Sequence, residues 1–144
     1  MKTAQIYLRK GKLLVGTLSR TEFGVWVVDG PYSTMAMPCE SEVVGTSVIA
    51  AIERSRNVPH PRDPTEKMAL ILSAAGVKSW GTFVKGAKEV LVDLDGAQYI
   101  ITPTSNQGAR GGFTPLIEKK VRISSAVSPA QLGEAVFQGI ELGE

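Results

Sequence analysis

KEVLVDLDGAQYIITPT, residues 88–104, is the stretch on which the fold turns. Val90, Val92 and Leu94 alternate with Leu91, Asp93 and Asp95, the period-two pattern of a half-buried strand. Asp95-Gly96 follows, a dipeptide that accepts the positive φ angles of a tight hairpin turn. With those two residues as the loop, Leu94 faces Ala97, Val92 faces Tyr99 and Val90 faces Ile101, so six apolar residues share one face. The other face sets Leu91 opposite Ile100 and Asp93 opposite Gln98. A one-residue slip would bury Asp93 and Asp95, which specifies the face turned to the core. Pro103 cannot donate to a ladder and is expected to end the second strand. The hairpin points to a fold class and carries no chemistry of its own.

Upstream, breakers fall at short, regular intervals and predict an antiparallel meander over residues 3–38. Its strands are Ile6 and Leu8 with their neighbours, then residues 13–18, 23–28 and 32–37, the last stopped at Pro38. Ser41 offers a helix cap, and Val44, Val48, Ala51, Ile52 and Ser55 recur at helical spacing, predicting a helix over 42–55. NVPHPR, residues 57–62, is an extended connector, because a residue before proline avoids the α region. Asp63-Pro64-Thr65-Glu66 starts a second helix, with Met68, Ile71, Leu72 and Ala75 as its buried stripe and Gly76 as its left-handed stop. Residues 82–84 read as a short strand beside the hairpin, with Trp80 at its entrance.

Downstream, residues 104–115 (TSNQGARGGFTP) read as the longest loop and 120–123 as a strand. Ser128-Pro129-Ala130-Gln131 is a capping box before a last helix faced by Leu132, Val136 and Ile140. VVGTSVIAAIERS (43–55) and QLGEAVFQGIELG (131–143) echo each other, each with a glycine, Gly45 or Gly133, in its first turn. The shared pattern is common to amphipathic helices and is read as two helices docked on one sheet rather than as a duplication. The expected class is α+β: a largely antiparallel sheet with about three helices packed on it, one domain over residues 1–144.

A chain of 144 residues buries about two thirds of its unfolded surface and needs no disulfide or metal to hold a core. A net charge of +2 is too small to imply nucleic acid by itself. One cysteine, Cys39, makes no internal disulfide and suits a reducing cytosol. The start, MKTAQIYLRKGK, has no signal-peptide apolar run, and the greasiest stretches, 43–52 and 68–77, are too short to span a bilayer. A cytoplasmic protein is expected.

Catalytic constellations are sparse. His60 is the sole histidine and lies between two prolines, which reads as a linker ring packed on a neighbour. Cys39 could act as a nucleophile, but Glu40 and Glu42 would raise its thiol pKa and so quench it. Asp93 and Asp95 could pair for metal or acid–base work, yet they read more simply as the solvent side of a hairpin. Gly108-Ala109-Arg110-Gly111-Gly112 lacks the frame of a phosphate loop. Arg110, Asn106 and Phe113 on one loop suit contact with a protein, since arginine and aromatics anchor interfaces. No cofactor or metal is expected.

Together the helix running into NVPHP, the segment AGVKSWGTFVKGAKEV, the strand end IITPTSNQGARGGF and the closing SPAQLGEAVFQGI resemble the immunity proteins of bacterial contact-dependent growth inhibition, the CdiI family. The likeness spans residues 43–142, and residues 1–42 share only their strand-like character. The resemblance implies a cytosolic, non-catalytic protein. Such a protein binds and neutralises the C-terminal toxin domain of a cognate CdiA effector, commonly a nuclease, and so protects sibling cells. Immunity proteins against basic nucleases are often acidic, whereas this chain is slightly basic, so contact would rest on local patches. The expected interface is Trp80, Asn106, Arg110 and Phe113, without membrane or direct nucleic-acid contact. The alternatives are a small nucleic-acid-binding module, resting on Arg110, Lys78, Lys85, Lys88 and the run Lys119-Lys120-Val121-Arg122, and a small hydrolase using His60 or Cys39.

Overall fold

The computed structural model describes residues 1–144, apart from the side chain of Pro64. Strand β1 (Lys2–Arg9) turns through Lys10 and Gly11, both at positive φ, into β2 (Lys12–Thr21). Two short strands, β3 (Trp26–Val28) and β4 (Ser33–Ala36), complete the meander, and α1 (Ser41–Glu53) follows. Next come β5 (Asn57–Val58), α2 (Pro64–Ala75) and the short helix α3 (Trp80–Val84). The hairpin of β6 (Lys88–Asp95) and β7 (Gln98–Asn106) leads to a helical turn, α4 (Gly108–Gly111). Strands β8 (Phe113–Pro115) and β9 (Val121–Ser124) and helix α5 (Pro129–Leu142) close the chain. The class is α+β. The sheet runs β3-β2-β1-β6-β7-β8, with β4 and β5 also on β2 and β9 also on β7. Only β5 joins in parallel; the other pairings are antiparallel.

Alternation along the central strands sorts the side chains onto two faces. One face carries Ala4, Ile6, Leu13, Val15, Val90, Val92, Tyr99 and Ile101, and α1 and α5 cover it with Val44, Val48, Ile52, Leu132, Val136 and Ile140. The two helices meet backbone to backbone. A Cβ on Gly45 would lie 1.7 Å from the Pro129 carbonyl oxygen, and one on Gly133 would lie 1.8 Å from that of Ser41. Helix α5 begins with the expected capping box of Ser128 and Gln131. Helix α1 is preceded by Glu40 without a side-chain cap bond, so Ser41 is its first helical residue and not its cap. Asp63 caps α2 by accepting from the Thr65 amide, and Gly76 ends it at φ 73°.

Several further expectations are corrected. The hairpin register is displaced by two residues: Leu94 faces Tyr99, Val92 faces Ile101 and Val90 faces Pro103. The turn is made by Gly96, at φ 61°, and Ala97, leaving Asp95 paired with Gln98. A two-residue displacement keeps every side chain on its face, so the core survives and only Ala97 leaves it. Strand β7 continues through Pro103 to Asn106. Pro103 falls between the stretches paired with β9 and β8, where its missing N–H interrupts neither ladder, and its carbonyl accepts from the Leu116 amide. Residues 82–84 are helical, because the Ser79 hydroxyl caps the Thr82 amide at 3.2 Å. The stretch 104–115 is not a plain loop but the end of β7, α4 and β8. On α2 only Ile71 of the expected stripe is buried, and Met68 is exposed.

Candidate functional site

The second face of the sheet is where polar and aromatic side chains gather. Tyr7 of β1 is its hub. Its ring meets Phe83 edge-on at 5.0 Å and Phe113 at 5.5 Å, while Trp80 stacks on Phe83 at 5.4 Å and meets Phe113 at 6.2 Å. The buried Arg9 guanidinium fixes α3 beneath this cluster, donating from Nε to the Phe83 carbonyl and from Nη2 to that of Thr82. Gly16 leaves room on β2 for the Tyr32 ring, which a Cβ there would strike at 2.5 Å.

Around this hub runs a buried polar chain. The Tyr32 hydroxyl donates to Gln5 Oε1, and Gln5 Nε2 donates to Glu89 Oε2 at 2.8 Å. Burial lifts the Glu89 carboxyl to about 7, against the opposing pull of hydrogen bonds from Tyr7 and Gln5. Burial and the nearby Glu89 charge push both tyrosine phenols upward.

Gln5 and Tyr7 floor a groove of about 270 Å³. Its walls are Leu18, Trp26 and Val28 on the sheet side and Pro61, Lys67, Met68, Ile71 and Trp80 on the side of α2 and α3. Phe23 and Val25 stand exposed in the loop before β3, so apolar surface extends from that loop to the groove wall. A mainly apolar groove with a few fixed polar groups is the usual form of a recognition site.

The four expected interface residues sit at one end of this face. Trp80 lines the groove and Phe113 packs against it. Arg110 is exposed on α4. Asn106 is occupied inside the fold: Nδ2 donates to the Val84 and Ala87 carbonyls at 2.7 and 2.8 Å, and Oδ1 accepts from the Gly108 amide. It ties α3 and α4 to the end of β7. The basic run is partly spent too, since Lys119 pairs with Glu144 at 2.8 Å.

The groups considered for catalysis lie apart. His60 is exposed and meets Phe23 edge-on at 5.3 Å. Cys39 packs beside Met37, and burial, then Glu40, pushes its thiol pKa up. Asp93 accepts from the Thr3 hydroxyl at 2.5 Å while Asp95 is exposed. Among the described residues no group of three or more histidine, cysteine or acidic side chains converges as metal ligands. Among the described residues no helix is long and apolar enough to cross a membrane. The sequence reading missed Gln5, Trp26, Tyr32 and Glu89. Their one signal was Gly16 in a strand, a mark of close approach by another group.

A groove with an apolar wall and a polar floor has the form of a recognition surface. The chain matches the family model of the CDI immunity proteins, CdiI, over residues 2–142. It belongs to that family, which makes it an immunity protein rather than an enzyme. The match takes in the N-terminal strands as well as residues 43–142. Two solved structures share the fold. One is a protein of unknown function, NMB0488, from Neisseria meningitidis, at 19% identity and TM-score 0.83, covering 99% of this chain and 95% of that one. The other is from a CdiA-CT/CdiI toxin and immunity complex of Yersinia pseudotuberculosis, at 16% identity and TM-score 0.82, covering 99% and 97%. No curated protein matches the sequence.

Proposed function

We propose that this protein binds and neutralises the C-terminal toxin domain of a cognate CdiA effector in the cytoplasm of the producing cell. The match to the CDI immunity family over residues 2–142 carries this reading. A nuclease toxin is the class proposed, because CdiI proteins commonly oppose nucleases. The toxin seats on the second face of the sheet, across the groove between Trp26 and Trp80. Trp80, Phe113 and Arg110 supply the contacts, and Asn106 positions the corner that bears them. Apolar and aromatic surface, rather than net charge, supplies affinity here, in keeping with a chain of charge +2.

Co-expression with the toxin encoded beside this gene tests the proposal. The two chains should co-purify, and cells expressing the toxin should survive only with this partner. Toxin-expressing cells that die at the same rate with and without it would end the reading.

A further inference from the structure

The chain repeats itself about an internal two-fold axis. The β1–β6 ladder is centred on Gln5 opposite Leu91, with Lys2 opposite Leu94 at one end and Leu8 opposite Lys88 at the other. Moving along the chain by the step from Gln5 to Leu91 carries each β1 residue onto a β6 residue and maps the ladder onto itself. The same step carries the β1–β2 register onto that of β6–β7: Ala4 opposite Thr17 becomes Val90 opposite Pro103, and Arg9 opposite Lys12 becomes Asp95 opposite Gln98. A step two residues longer carries β4 onto β9, so Leu13 opposite Met35 becomes Tyr99 opposite Ile123. That longer step also carries the start of α1 onto the start of α5.

The core obeys the same relation. Ile6 and Val92, Val15 and Ile101, Val48 and Val136, and Ile52 and Ile140 are mates, all buried in one cluster. The helix crossing is reciprocal: Gly45 of α1 meets the first residue of α5, Pro129, while Gly133 of α5 meets the first residue of α1, Ser41. Reciprocity of this kind, where one surface meets its own equivalent, is the signature of an isologous dimer contact. Two helices docking independently on a sheet would have no reason to share both the glycine and the target of its contact. The segment without a mate is 57–87, which holds β5, α2 and α3.

We infer that this chain is a two-fold dimer of one ββββα unit fused into a single polypeptide, and that residues 1–56 and 88–144 are each other's partner through a self-complementary surface. The echo between the two glycine-bearing helices is therefore a repeat and not a coincidence of amphipathic pattern. Neither half closes its own core, since each leaves β1 or β6 and the flank of its helix bare without the other. Segment 57–87 joins the halves and covers part of the second face, but it adds nothing to the ladder or to the helix seam.

Two measurements test this. In the first, a protease site is placed in the full-length chain at residues 59–62, where Pro59, His60 and Arg62 are exposed, and cut. The two fragments, separated in denaturant, should reassemble on mixing into a one-to-one folded species whose urea midpoint rises with concentration. Fragments that refold separately, or fail to associate at tens of micromolar, would overturn the inference. In the second, native hydrogen exchange on the uncut protein compares mates. Amides of Ile6 and Val92, and of Val48 and Val136, should open together, with protection agreeing within threefold, while α2 exchanges earlier. A difference of more than tenfold between mates, one half opening while the other stays closed, would equally overturn it.

Discussion

Replacing Gly133 by alanine should separate the two helices that roof the core. The added Cβ would stand 1.8 Å from the Ser41 carbonyl oxygen and 2.6 Å from its carbon. Carbon and oxygen approach no closer than about 3.3 Å without repulsion, so the backbones must part by about 1.5 Å along that line. A gap of even about 1 Å forfeits up to half of each dispersion contact across a seam. Val44, Val48, Leu132 and Val136 sit in this core layer. Overpacking in a core costs about 1–3 kcal/mol, and a clash against backbone, which has no rotamer to yield, lies at or above the top of that range. Alanine returns about 1 kcal/mol of helix propensity over glycine. The net loss is about 2–3 kcal/mol, which at a urea m-value of about 2 kcal/mol/M lowers the midpoint by about 1–1.5 M. Gly81 in α3 is the control, since a Cβ there meets nothing within 4 Å. Gly81→Ala should hold or raise the midpoint by up to about 0.5 M through propensity alone. Urea unfolding followed by circular dichroism reads both. A Gly133→Ala midpoint equal to that of the parent would refute the backbone contact.

Other perturbations address the second face. Glu89 binds its proton more tightly folded, at about 7, than an ordinary carboxyl near 4.5. Its stabilising contribution is thus complete below about pH 4.5 and lost as pH rises through 7, a change of about 3 kcal/mol. Glu89→Gln, neutral throughout, should gain on the parent by roughly that amount between pH 5 and 8 in urea midpoints, and parallel pH profiles would contradict it. Phe113→Ala and Arg110→Ala should each weaken toxin binding by more than about 1 kcal/mol in titration calorimetry, and unchanged affinity for both would place the interface elsewhere. Asn106→Ala should lower stability by about 1–3 kcal/mol, because the Val84 and Ala87 carbonyls lose their donor. A parent-like melting curve would show that those bonds are made good by water. Ser128→Ala should cost about 1 kcal/mol through the lost cap on α5, again read from the urea midpoint.

The sheet and its main helices were legible because their signals are local. Alternation at 88–101, the Ser128 box and Gly76 each act within a few residues. The hairpin register was not, since Asp95-Gly96 and Gly96-Ala97 both offer a glycine to the turn. What separates them is the pairing of β6 and β7 with strands distant in sequence. Residues 82–84 carry β-formers, yet the Ser79 cap and the burial of Phe83 against Tyr7 make them helical. Trp80 and Phe113 could be named from residue type alone. Gln5, Tyr32 and Glu89 meet only after β1, β6 and the segment before β4 are assembled, so no spacing in the chain announces them.

The glycine seam also bears on how relatives can diverge. Where two main chains touch, geometry restricts the residue to the smallest one, while most other positions need only stay greasy and roughly sized. A scaffold policed at so few sites leaves the opposite face open to change, including the wall formed by Met68, Ile71 and Trp80. Two solved chains that superpose on this one at TM-scores of 0.83 and 0.82 with only 19% and 16% of residues alike are what such lenient bookkeeping would allow.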